Sequence, residues 1–178
     1  MRVLACLTAT TILLGGAVFA QAPNSGAASA QATSKSETGS AATRSSREVA
    51  AAAAAIVAAF GRHDAKAYFA LFAPDATFVF HTTAQRLNSR AEYEAEWAKW
   101  EKEDAFRVRS CKSTDQRVQV FGDVAVFTHS VQTELSAKGG PSTVRERETI
   151  VFQRRGGRWI AVHEHLSPYP ESTPPATK

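Results

Sequence analysis

Sulfur is scarce in this 178-residue chain, which has two cysteines, Cys6 and Cys111, and one methionine. Cys6 falls inside an apolar leader-like run, so its removal would leave Cys111 alone. A lone thiol cannot staple its own domain, and the core is expected to hold without a disulfide. Cys111 stands in a strand-like stretch with no base beside it, which reads as a small core residue and not as a nucleophile. A strong excess of one charge is also missing: 21 Lys and Arg stand against 17 Asp and Glu. The basic residues are interleaved with acids, which argues against a nucleic-acid partner. No phosphate loop, dinucleotide fingerprint or Ser/His/Asp motif stands in the context those reactions need, so no cofactor is expected.

What is present begins with export. Arg2 precedes a mostly apolar run over residues 3–19, and small residues at Val18, Ala20 and Ala22 offer two cutting points. That layout predicts a signal peptide over 1–20, too short and too interrupted for a good membrane span. The expected destination is periplasmic or secreted, with no stable membrane anchor after cleavage. Residues 21–46 carry Ala, Ser, Thr, Gly and Gln but almost no large apolar side chain, and predict a disordered tether. Residues 170–178 predict a disordered tail. The stretch 47–169 between them is about the ordinary size for one domain with one core.

Within it, "REVAAAAAAIVAAF" at 47–60 predicts a helix closed by Gly61. Asp64 is placed to cap a second helix carrying Tyr68, Leu71 and Phe72, which Pro74 stops. Residues 76–80 predict a strand. Ser89 and Glu92 form a capping box ahead of a third helix with Tyr93, Trp97 and Trp100 on one face. The period then changes to two, and strands are expected at 106–120, 123–136, 143–154 and 158–167. Short turns at "FGD", "KGGP" and "RRGG" imply an antiparallel meander.

This order resembles the nuclear-transport-factor-2-like superfamily, in its SnoaL-like branch. The likeness rests on "AAFGRHDAKAYFALFAPDATF" at 58–78 and "RRGGRWIAVHEHLS" at 154–167. The second segment also resembles the association domain of calcium/calmodulin-dependent protein kinase II. The resemblance implies an α+β fold: a cone-shaped, strongly curved antiparallel sheet, covered by three N-terminal helices around a central pocket. It also implies a homodimer formed through the outer sheet face. The superfamily's ketosteroid isomerases use a helix Tyr and two Asp; the matching positions here are Ile56, Phe80 and, within one residue, Thr149. None keeps the required group. The kinase-hub arginine positions match Val131, Ile150 and Leu166, all aliphatic, which implies a pocket without anion-binding charge.

Strand alternation singles out two polar groups. Glu164 shares parity with Ile160, Val162 and Leu166, and His129 with Ala125, Phe127 and Val131. A carboxylate on an apolar face must be paired, protonated or functional. One reading makes His129 and Glu164 the polar end of an apolar pocket walled by Phe78, Phe80, Tyr93, Trp97, Phe127, Val131, Ile150, Val162 and Leu166. The other pairs Glu164 with Arg145 or Arg147 and leaves His129 as a core histidine. His163 and His165 point together on the opposite face, but His63 and His81 are isolated and no third ligand is readable, so no metal is expected. A cross-strand or interface role suits that histidine pair.

Three functions remain open. The first is non-catalytic binding of a small, largely apolar molecule. The second is an isomerase, cyclase or dehydratase using His129 and Glu164 as acid and base. The third is an assembly module whose pocket is filled by its own side chains.

Overall fold

Alanine-rich sequence builds helix α1, Gly26–Gly61, in the computed structural model, which describes residues 26–170 and side chains from 41 onward. Val49, Ala53, Ile56 and Ala59 are its buried stripe, spaced by three or four residues. The helix starts at Gly26 and not at residue 47, so the part of the expected tether from 26 to 46 is helical. Lack of large apolar residues argues against a packed core, but Ala, Gln, Lys and Glu still favour local helix. The expected signal peptide, the start of the tether and the tail from 171 lie outside the described residues.

Asp64 caps α2, Ala65–Phe69, accepting from the Ala67 backbone N–H at 3.0 Å. This helix is shorter than its spacing suggests, because Leu71 and Phe72 leave it for the sheet. Strand β1 runs Phe72–Phe80, and Phe72 already pairs with Ala161. Pro74 and Asp75 occupy an irregularity between Phe72 and Thr77, where a missing N–H does no harm. Helix α3, Arg90–Asp104, starts at Ser89, whose hydroxyl accepts from the Glu92 N–H. Glu92 reaches back one residue further than in a regular capping box, to the Asn88 N–H at 2.7 Å.

The meander follows as β2 Arg107–Phe121, β3 Val124–Ala137, β4 Gly140–Arg155 and β5 Arg158–Pro168. Gly156 and Gly157 both take positive φ, 56° and 77°, as a two-residue hairpin of matching twist needs. The five-stranded sheet has the order β1-β5-β4-β3-β2. Strand β1 lies parallel to β5, while the other pairs are antiparallel. The sheet is therefore mixed, which corrects the expectation of a wholly antiparallel one. Helix α3 intervenes between β1 and the meander, so β1 is free to enter beside β5 in the same direction as it.

A second correction concerns parity in β5. Phe152 pairs with Ala161 and Val151 with His163, leaving Val162 as an unpaired bulge residue. Trp159 and Ala161 therefore share the inner side with Glu164 and Leu166, and Ile160 does not. One extra residue reverses every side chain before it. Trp159 confirms this orientation by donating to Glu48 of α1 at 3.2 Å.

Gly61 ends α1 against β2: a Cβ there would stand 3.1 Å from the Cys111 backbone nitrogen. Gly61→Val is expected to cost about 1–3 kcal/mol of unfolding free energy, as overpacking does, read from denaturant midpoints. An unchanged midpoint would mean that helix and strand have room to part.

Candidate functional site: a buried carboxyl pair

Strands β3 and β4 alternate without interruption where it matters. His129, Val131 and Thr133 on β3, and Glu148, Ile150 and Phe152 on β4, are all buried on one face. His129 pairs directly with Glu148. Glu164 pairs with Ile150, and Glu148 with Leu166, so the two carboxyls are diagonal neighbours on the same face. Glu148 is 7% exposed and Glu164 3%. Each lies close enough to shift the other's proton affinity. Tyr68 of α2 donates its hydroxyl to Glu164 Oε2 at 2.8 Å.

Behind Glu148 stands His129, with Nε2 2.7 Å from Oε2. The oxygen lies off the ring N–H axis, so Nε2 has ion-pair proximity but no aligned acceptor. On its other side, His129 Nδ1 is 2.7 Å from Ser113 Oγ on β2.

Burial governs the proton states here. It holds Glu164 well above the usual carboxylate range, and the neighbouring Glu148 charge and hydrogen bond raise it further. Burial also lifts Glu148 to about 7, aided by the Glu146 charge. The same desolvation lowers His129 to about 4, against a smaller upward pull from Glu164. At neutral pH the imidazole is therefore neutral, and both carboxyls are biased towards holding a proton. Tyr68 and Tyr93 are pushed up by burial first and by Glu164 next. Burial raises the Cys111 thiol to about 11, which removes it as a nucleophile.

Glu148 and Glu164 line a cavity of about 40 Å³. Its other walls are largely apolar, with Ile56, Val57 and Phe60 from α1 and Tyr93 from α3. Phe60, Tyr93, Thr133, Glu146 and Leu166 also line an adjoining hollow of about 200 Å³, where Phe80, Trp100 and Phe106 supply aromatic walls. Glu146 is held there by His81 at 2.6 Å.

Of the residues selected from sequence, Tyr93, Val131, Glu164 and Leu166 line the cavity, and Phe80 the hollow beside it. Phe78, Trp97, Phe127 and Ile150 are fully buried in the core and line neither space. Val162 is the half-buried bulge residue. His129 stands behind Glu148 and does not reach the cavity. The Glu148 side chain thus stands between His129 and Glu164. Arg145 and Arg147 do not pair with Glu164: both lie over the Tyr169 ring, at 4.2 and 5.6 Å. His163 makes a cross-strand contact, Nδ1 to Thr77 Oγ1 at 2.8 Å. No metal-binding group of His, Cys, Asp and Glu occurs among the described residues.

Sequence reasoning missed Glu148, although its parity with Ile150 and Phe152 carried the signal. Thr149, the position matched to an isomerase carboxyl, lies one residue beyond it. Tyr68 was read only as helix core.

A family model for the SnoaL-like domain matches residues 49–171. The chain belongs to that family. A comparison with curated proteins finds no match. Among solved structures, this SnoaL-like chain is 26% identical to a Xanthomonas campestris protein described as a candidate calcium/calmodulin dependent protein kinase II association domain. The TM-score is 0.59, over 71% of this chain and 89% of that one. A nuclear transport factor 2-like protein from Salmonella enterica shares the fold at 15% identity and TM-score 0.64, covering 76% and 99% of the two chains. A ketosteroid isomerase-like protein from Erwinia carotovora does so at 18% and 0.60, covering 71% and 97%.

The buried groups tie stability to pH in opposite directions. Glu148 and Glu164 bind protons more tightly folded than unfolded, so their contribution is full below about 4.5 and is lost as pH rises through their folded values. His129, lowered from 6.5 to about 4, contributes above 6.5 and loses that contribution as pH falls towards 4. With two carboxyls against one imidazole, unfolding free energy is expected to decline as pH rises from 4.5 through about 7 and beyond. Glu164→Gln should flatten the decline. Denaturant titrations across that range check it, and an unchanged slope in the variant would contradict the assignment.

Proposed function

We propose that this SnoaL-like domain binds a small, largely apolar molecule, with its polar group against Tyr93, Glu148 and Glu164 and its apolar body in the aromatic hollow, and that it does so without catalysis. The observation that carries this reading is the carboxyl pair, which opens onto a space that Ile56, Val57 and Phe60 otherwise make apolar. Well-packed apolar residues would serve stability as well as a buried pair of this kind. A protonated Glu164 can donate a hydrogen bond and Glu148 can donate or accept, which suits an oxygen on an apolar skeleton. Apolar side chains at Val131 and Leu166 argue against an anionic ligand. The reading extends to an exported protein, on the leader-like residues 1–20, and to a homodimer through the outer sheet face.

Native mass spectrometry of the protein taken from its own exported fraction tests this directly. A dimer with one discrete small adduct, released on denaturation, is the expected result. Glu164→Leu should weaken retention by about three- to tenfold, the worth of one buried hydrogen bond. A ligand-free protein that also fails to take up small aromatic ketones and alcohols would favour the assembly reading and end this one.

Turnover is the second reading, favoured by one observation: Glu148 sits at about 7, where a general base works best. Glu148, and not His129, would then meet substrate beside Glu164. That reading requires activity with an inflection near neutral pH that Glu148→Gln abolishes.

A further inference from the structure

The carboxyl pair is joined to the edge of the sheet by a continuous line of polar side chains. From Glu164 on β5 the line passes to Glu148 on β4, His129 on β3 and Ser113 on β2, an edge strand in the sheet order. Ser113 is half-buried, and the exposed Gln116 donates to its Oγ at 2.8 Å. Asp115, with φ of 53°, and Gln116 form the irregularity in β2 that brings Gln116 back over Ser113.

We propose that Ser113 and His129 form a proton path between solvent at the β2 edge and the buried Glu148–Glu164 pair, separate from the mouth of the cavity. The proposal deepens the reading of the cavity as a binding site: it says how the proton state of that site is set while a ligand fills the space above it.

Transfer starts from the tautomer in which the Ser113 hydroxyl donates to His129 Nδ1, while Gln116 donates to Ser113 Oγ, and the ring hydrogen sits on Nε2, 2.7 Å from Glu148 Oε2. A hydronium at the edge gives its proton to Ser113 Oγ as the original O–H bond breaks and a new N–H bond forms at Nδ1. A small turn of the ring or the carboxyl brings Nε2–H into line with Glu148 Oε2, 2.7 Å away; the Nε2–H bond then breaks and an O–H bond forms at that oxygen. His129 is neutral before and after, which suits a ring too desolvated to hold a charge at neutral pH. Uptake leaves the ring hydrogen on Nδ1, and release runs the steps backwards, so no ring flip is needed. The groups facing the pair are Tyr68 from α2, Tyr93 from α3, Cys111 from β2, His129 from β3 and Glu146 from β4. Helix α1 presents only Ile56, Val57 and Phe60 there, and β1 presents Phe78 beside Glu164.

The test is a pH jump on the intact, unliganded protein, following the infrared band of the protonated carboxyls, assigned with Glu148→Gln and Glu164→Gln. Ser113→Ala is expected to slow the change on the order of tenfold, a modest share of what a positioned proton carrier supplies. The equilibrium midpoint should stay in place, and Ser113→Thr, which keeps the hydroxyl, should restore the rate. An unchanged rate in Ser113→Ala means that protons enter by the cavity mouth, and overturns the path. A shifted midpoint, or no rescue by threonine, means an electrostatic or packing effect and overturns it equally. Because no ligand is involved, the path can stand where ligand retention fails, and the reverse.

Discussion

Two carboxyls share one dry corner of this domain, and the surrounding interior is organised by the cost of keeping them there. Ionising both side by side in a buried site is costly, so the pair is biased towards retaining a proton, Glu164 most strongly. That state makes demands on its neighbours. Tyr68 must spend its hydroxyl on Glu164, which ties the short helix α2 to the middle of β5. His129 must stay neutral, because burial penalises an imidazolium there. The polar corner is therefore an organising contact as well as a chemical one.

Around it the aromatic side chains form a continuous layer. Tyr68 packs against Phe60, Phe69, Phe72, Tyr93 and Trp97 with ring centroids 5.0–6.0 Å apart, distances at which tilted rings attract. Polar clamps at the rim hold that layer in place. His63 accepts from the Val108 N–H and gives its other ring nitrogen to Glu101, which also receives Trp97 Nε1. That triad joins the turn after α1, helix α3 and the first residues of β2. Across the sheet, Arg155 takes Asp75 in a two-pronged contact, and Arg154 reaches Ser45 and Glu48 on α1. The exposed ion pairs add little free energy individually. Their value is positional, since they fix the helices whose side chains wall the cavity.

Much of this was legible in the residues. All four meander strands fell within a few residues of their expected limits, because turn glycines and a period of two are local signals. Ser89 and Asp64 were readable as caps for the same reason. Misreadings arose where a long-range contact overrode the local pattern. Phe72 has helical spacing from Tyr68 but is drawn into β1 by pairing with Ala161. Ile160 and Val162 follow the alternation of Glu164 on paper, yet the bulge at Val162 reverses the parity of everything before it. Glu164 and Leu166 were placed correctly because they lie on the near side of that bulge.

The sequence alone determined the family, the order of the elements and the presence of a carboxylate on an apolar strand face, since each is written in spacing over a few residues or in motif content. It could not determine what that carboxylate meets. Arginine partners at 145 and 147 were as reasonable as any while the register of β4 against its neighbours was unknown. Only the tertiary register sets Glu148 between His129 and Glu164, turns Arg145 and Arg147 to Tyr169, and brings Tyr68 from a separate helix onto the same oxygen. The physical reason is that a desolvated acid takes its character from neighbours tens of residues away in the chain, and pairing geometry chooses those neighbours.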